Sequence, residues 1–162
     1  MAKAVIAAGS NLGDRAEYLR NAGKFLQSIS DDPVRKSSVW ESEPVGPSKY
    51  RFLNAVALIE TWKRPGQLLS ELQIFEQTQG RSEERQRWGP RTLDLDLIFY
   101  NDLVIHSDTL IIPHPEYHNR KFVLLPMEEI LPGHTDPVSG TPVTELIRKA
   151  PDIDIFKTDF TW

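Results

Sequence analysis

The stretch "TLDLDLIFY" (residues 92–100) restricts the fold more than any other part of the chain. Side chains alternate between the two faces of a strand, so Leu93, Leu95 and Leu97 point one way and Asp94 and Asp96 the other. The two aspartate Cα atoms then lie about 7 Å apart. Such a strand needs a sheet with a core under its leucines, and it carries two carboxylates on the opposite side. Just ahead of it, Arg81, Arg85, Arg87 and Arg91 fall within eleven residues. Guanidinium charge that dense beside paired carboxylates points to a polyanion held together with a metal ion. The plainer alternative is a leucine core with a solvated aspartate face.

The rest of the chain supplies elements for such a sheet. "KAVIAAG" (residues 3–9) is an apolar run stopped by glycine and reads as a buried opening strand. Leu12, Ala16, Leu19, Ala22, Leu26 and Ile29 recur every three to four residues, which predicts a helix over about 14–29 with Asp14 as its N-cap. "VRKSSVWESE" and "YRFLNAVALIET" are rich in β-branched and aromatic residues and predict two neighbouring strands joined by a long mobile loop, "PVGPSK". A second helix is expected from Pro65, an N1-type proline, through Leu68, Leu72 and Phe75 to Gly80. After residues 92–100, Asn101 and Asp102 read as a turn into a short "LVI" strand. A His/Pro loop, a helix over 122–130 and an amphipathic piece over 143–150 complete the chain. Hairpin-scale links between strands predict an α+β sandwich with a mainly antiparallel sheet.

At 162 residues the chain fits one domain that buries roughly 70% of the surface its unfolded form exposes. A net charge of −4 gives no reason to expect a nucleic-acid or membrane partner. Cysteine is absent, which excludes disulfides, thiolate zinc sites and cysteine nucleophiles and makes a reducing cytoplasmic location the default. The five-residue apolar run near the N-terminus is too short for a signal-peptide core, no stretch reaches the ~18 residues of a membrane helix, and the chain is expected to be complete as given.

The chemistry-bearing residues narrow the class further. Magnesium takes oxygen ligands, commonly one or two protein carboxylates plus water and substrate phosphate, so Asp94 and Asp96 suit a nucleotide phosphate better than a protein-only cage. Arginines can neutralise charge that develops in phosphoryl transfer. Glu83 and Glu84 in the same segment offer Arg85 and Arg87 a surface pairing instead. Neither G-x-x-x-x-G-K-[ST] nor G-x-G-x-x-G occurs, so a bound nucleotide would rely on arginine and metal. Of His106, His114, His118 and His134, none sits in a zinc motif; His114, between two prolines, is rigidly presented and suits either a phosphate contact or a structural hydrogen bond. Phe52 and Asn54 share one strand face, where they can stack a flat ring and bond its edge, or simply belong to the core.

With "IAAGSNLGDR", "FLNAVALIET", "GR" followed by "RWGPRTLDLDLIFY", and "IPHPEYHNRKFVLLPM" in this order, the chain resembles the 6-hydroxymethyl-7,8-dihydropterin pyrophosphokinase family over nearly its whole length. The resemblance implies a ferredoxin-like fold, a single pyrophosphokinase domain over 1–162, and transfer of pyrophosphate from ATP to the pterin alcohol in folate biosynthesis. It implies that Asp94 and Asp96 bind two Mg2+ ions and that Arg81 and Arg91 steady the transferred group. Gln73, Glu76 and His114 would contact the nucleotide. Phe52 and Phe122 would sandwich the pterin, Asn54 would bond its edge, and the backbone over Ser42, Pro44 and Val45 would complete that pocket. Trp88 would sit in a loop closing over both substrates. A monomer without nucleic-acid or membrane partners is expected. Glu83 and Glu84 depart from positions where relatives often carry basic residues, and Glu43 from one where proline is frequent.

Two other classes fit parts of the pattern. A single-stranded RNA module would use the arginines and aromatics, but Asp94 and Asp96 would repel its ligand's backbone without a metal. A kinase acting on another alcohol would share the metal logic and differ in the phosphate attacked.

Overall fold

The computed structural model describes residues 1–80 and 92–162, so Arg81, Glu83, Glu84, Arg85, Arg87, Trp88 and Arg91 lie outside the described residues. Its centre is β1 (Ala2–Ser10), paired antiparallel with β4 (Phe52–Thr61) on one side and β5 (Asp94–Tyr100) on the other. Beyond β4 come β2 (Arg35–Lys36) and β3 (Trp40–Ser42), and β3 pairs with a C-terminal strand, β8 (Ile155–Lys157). The strand order is β5-β1-β4-β3-β8, with every pairing antiparallel. The fold is α+β and ferredoxin-like, as the sequence led us to expect.

Among the described residues, two helices cover each face. On one side α1 (Arg15–Ile29) and α2 (Pro65–Thr78) bury Leu19, Ala22, Leu26, Leu68 and Leu72 against Ala4, Ile6, Leu53, Ala55, Leu95 and Leu97. The Asp14 carboxylate accepts the Glu17 N–H (3.1 Å) and caps α1. Gly80 takes φ +89 just past α2, where only glycine is free of a Cβ penalty. On the other side α3 (Lys121–Ile130) and α4 (Val143–Lys149) bury Val123, Leu124, Met127 and Val143 against Val5, Val56, Leu58, Ile98 and Phe99. A register shift opposite Val5 and Ile6 puts both Ile98 and Phe99 in this second cluster. Among the described residues, no helix is long and apolar enough to cross a membrane.

Several boundaries differ from expectation. "VRKSSVWESE" divides into β2 and β3 because the Ser37 hydroxyl accepts the Val56 N–H (2.9 Å), a side chain interrupting the ladder with its own acceptor. The "LVI" strand begins only at Ile105: the Leu103 N–H donates to the Tyr100 carbonyl (3.1 Å), so the turn extends through Leu103. The short strand is β6 (Ile105–His106), paired with β7 (Ile111–Ile112). β8, with no long apolar run, was not anticipated.

Candidate active site

The register of the three central strands places the candidate residues. Asp94 pairs with Gly9 and Gly9 with Asn54; one step on, Asp96 pairs with Ala7. All lie on the α3 side of the sheet, and the middle strand offers only a hydrogen and a methyl there. The result is a cavity of about 290 Å³ above Ala7 and Gly9. Asp94 and Asp96 form one wall; Phe52, Asn54 and Ser42 form the other; Phe122 and Val123 of α3, with His114 and Arg120 before it, lean in from above.

The apolar wall is held by one amide. Asn54, 4% exposed, donates through Nδ2 to the Ser42 hydroxyl (2.9 Å) and to the Trp40 carbonyl (3.3 Å). Both Nδ2 hydrogens are thereby committed, which leaves Oδ1 as the acceptor; it lies 3.8 Å from where a Cβ on Gly9 would stand.

At the acidic wall, Arg120 Nη1 and His114 Nε2 stand 3.7 and 3.9 Å from the Asp96 carboxylate. The Arg120 guanidinium carbon lies 5.7 Å from the centre of the Phe122 ring, so this arginine spans both ends of the cavity. His114 follows a cis Ile112–Pro113 bond, its N–H donates to the Ile98 carbonyl (3.0 Å), and its Nδ1 accepts the Glu116 N–H (3.1 Å). Burial, followed by the positive charge of Arg120, pushes its pKa down to about 4, and the carboxylates of Asp94 and Glu116 oppose this without prevailing. At neutral pH the ring is therefore uncharged, and with Nδ1 accepting, the proton resides on Nε2. The contact with Asp96 is then a neutral donor near a carboxylate, not an ion pair. It presents an N–H where a phosphate oxygen can use it.

The structure thus gathers Ser42, Val45, Phe52, Asn54, Asp94, Asp96, His114 and Phe122 around one cavity. Pro44 does not line it, nor do Gln73, exposed on α2, and Glu76, buried on the same helix. Arg81, Trp88 and Arg91 lie outside the described residues. Sequence reasoning missed Arg120 and Gly9. Arg120 stands two residues before Phe122, which is its one local signal, and it stands alone, whereas four arginines cluster at 81–91. Gly9 was read only as the end of a strand.

A metal would find two hard oxygen donors here, Asp94 and Asp96. Among the described residues no group of three or more His, Cys, Asp and Glu side chains can hold a metal ion. That donor set fits an ion completing its shell from water and a substrate's phosphates.

Residues 5–132 match the family described as 7,8-dihydro-6-hydroxymethylpterin-pyrophosphokinase. The chain is 43% identical over 159 residues to the 2-amino-4-hydroxy-6-hydroxymethyldihydropteridine pyrophosphokinase of Haemophilus influenzae, covering 97% of this chain and 98% of that one. It is 45% identical over 129 residues to the Bacillus subtilis protein of the same name, covering 78% and 77%. Among solved structures, Plasmodium falciparum HPPK-DHPS superposes with a TM-score of 0.70 at 15% identity, a likeness of fold. This chain covers 44% of that longer one, with 91% of its own length aligned.

Proposed function

The chain belongs to the 7,8-dihydro-6-hydroxymethylpterin-pyrophosphokinase family, and from that membership we propose how its cavity serves the reaction. The protein transfers pyrophosphate to 6-hydroxymethyl-7,8-dihydropterin in folate synthesis. ATP is the co-substrate.

In our reading the pterin lies flat between Phe52 and Phe122, with Asn54 Oδ1 accepting from its amino-pyrimidine edge and Ser42 and Val45 closing the pocket. Its hydroxymethyl group then points at the acidic wall. Asp94 and Asp96 would hold two Mg2+ ions, whose chemistry is to neutralise and orient the phosphates of ATP. The His114 Nε2–H donates to a phosphate oxygen, and Arg120 balances charge between Asp96 and the phosphates. The hydroxymethyl oxygen attacks the β-phosphorus and releases its proton to solvent, the bond from that phosphorus to the α–β bridging oxygen breaks with its electron pair going to that oxygen, and AMP leaves. Gln73 and Glu76 toward the nucleotide, Arg81 and Arg91 on the transferred group, and Trp88 over both substrates complete the proposal. We assign the whole chain, 1–162, to one pyrophosphokinase domain acting as a cytoplasmic monomer on diffusible substrates, without nucleic acid or membrane.

One observation carries this reading: a single cavity holds two carboxylates at one end and an aromatic and amide wall at the other. The test is incubation with Mg-ATP and 6-hydroxymethyl-7,8-dihydropterin, with AMP and ADP separated by chromatography. Pterin-dependent AMP is the expected product. ADP would mean attack at the terminal phosphate, and no turnover by folded protein would defeat the reading.

A further inference from the structure

The residues that bring Val45 to the cavity leave the sheet at Ser42 and rejoin it at Phe52, with Val45, Gly46, Pro47, Lys49 and Tyr50 exposed between. Inside this excursion, Asn11 Nδ2 donates to the Ser48 hydroxyl (3.0 Å) and to the Tyr50 carbonyl (3.2 Å). Its two ends meet on one distant residue. The Glu43 N–H donates to the Asp154 carbonyl (3.0 Å), and the Asp154 N–H donates back to Glu43 Oε1 (2.8 Å). Arg51 Nη1 lies 3.0 Å from the Asp154 carboxylate. Glu43 and Arg51 flank residues 44–50 on either side, so Asp154 joins entry to exit. Asp154 immediately precedes β8, where Ile155 pairs with Ser42, and it lies beyond residues 5–132 that match the family.

We propose that Asp154 and Glu43 form a clasp that positions residues 44–50 against the cavity, so that the C-terminal segment sets the affinity for the pterin. The inference rests on the reading of that cavity as the pterin site. Asp154's side chain is 66% exposed, so the ion pair with Arg51 is weak alone. The reciprocal pair of hydrogen bonds gives the junction its direction: Glu43, which lines the cavity beside Ser42 and Val45, has its carboxylate tied to the Asp154 N–H. A chain with proline at 43 could make neither bond. Glu43 and Asp154 are positioning residues in this scheme: Glu43 is part of the cavity wall and Asp154 holds it from behind, and neither is assigned a contact with the substrate.

The test uses the double variant Glu43→Ala/Asp154→Ala, with Glu43→Gln as the conservative control that keeps an Oε1 acceptor. Tryptic cleavage after Lys49 in the free protein, followed by mass spectrometry at that one bond, reads the order of the loop without reference to any ligand. Steady-state kinetics read the site. The double variant is expected to be cleaved about tenfold faster after Lys49 and to show a pterin KM about tenfold higher, as when the competent loop conformation falls to about a tenth of the population. Its kcat and its KM for ATP stay within about twofold of the parent chain, and Glu43→Gln matches the parent throughout. Should the double variant lose its fold by circular dichroism, Glu43→Ala against Glu43→Gln carries the same comparison. Unchanged cleavage in a folded variant overturns the clasp, and faster cleavage with an unmoved pterin KM overturns the positioning role. Absence of AMP formation by the parent chain would overturn the underlying reading, while the cleavage rates judge the clasp independently.

Discussion

Gly9 offers a perturbation with opposite effects on stability and on binding. A Cβ built there meets Phe52 Cδ1 at 3.6 Å, Asn54 Oδ1 at 3.8 Å and the Leu53 carbonyl oxygen at 3.9 Å, all ordinary van der Waals separations. Gly9 is not among the glycines with positive φ, so alanine fits the backbone as well as the space. Gly9→Ala should therefore stabilise the fold by about 0.5–1 kcal/mol, chiefly by restricting the unfolded chain. For a chain of this length that raises Tm by about 1–4 °C. The same methyl group projects into the cavity between Phe52 and Asn54, where our reading places the pterin ring. One unwanted methyl in such a pocket costs about 1–3 kcal/mol, or about 10–200-fold in pterin affinity. Gly9→Val should deepen the loss, and neither variant should move the KM for ATP by more than about twofold. Thermal melts and pterin titration by fluorescence measure the two effects separately. A lower Tm for Gly9→Ala would show that the position needs glycine for its backbone, and undiminished pterin binding by Gly9→Val would show that the ring lies elsewhere.

Other perturbations test the remaining parts of the site and the core behind it. Asp96→Ala should abolish turnover and leave Tm within a few degrees, because that side chain is 31% exposed and off the leucine face; retained activity would remove the metal assignment. Asn54→Leu deletes both Nδ2 bonds to β3 in a buried setting and should cost about 1–3 kcal/mol in urea denaturation, with weaker pterin binding; a negligible cost would mean the amide does not hold that strand. On the α4 side, burial and then the hydrogen bond to Asp136 raise the Tyr117 hydroxyl pKa, and that stabilisation, complete below about pH 10, must fade as pH rises further. Burial tends to raise the Asp136 pKa, but hydrogen bonds from Tyr117, Ser139 and Val138 outweigh it and hold the pKa low, so this contribution is lost as pH falls below about 4. Tyr117→Phe should therefore flatten the alkaline decline and shrink the acid one in denaturant titrations; a profile parallel to that of the parent chain would refute the pairing.

The regular elements were legible because their signals are local. The Leu/Asp alternation placed Leu95 and Leu97 in one core and Asp94 and Asp96 on the opposite face, and the spacing of Leu19, Ala22 and Leu26 with Asp14 ahead of them marked α1 and its cap. Partners far apart in sequence left no such trace. Nothing near Ser37 announces that its hydroxyl will replace a ladder acceptor for Val56, and nothing near Asp154 announces Glu43 and Arg51.

The candidate site divides along the same line. Residue type and spacing alone singled out Asp94, Asp96, Phe52, Asn54 and His114, because carboxylate pairs, flat rings and rigidly held imidazoles carry their chemistry with them. Only the folded sheet decided that these residues surround one cavity, that the hollow exists because Ala7 and Gly9 leave the middle strand nearly bare, and that Arg120 completes the acidic wall. It also set the protonation of His114, since a histidine's charge depends on burial and on the charges around it. Local sequence specifies which groups a strand or helix presents, while pairing register and packing specify which of them meet.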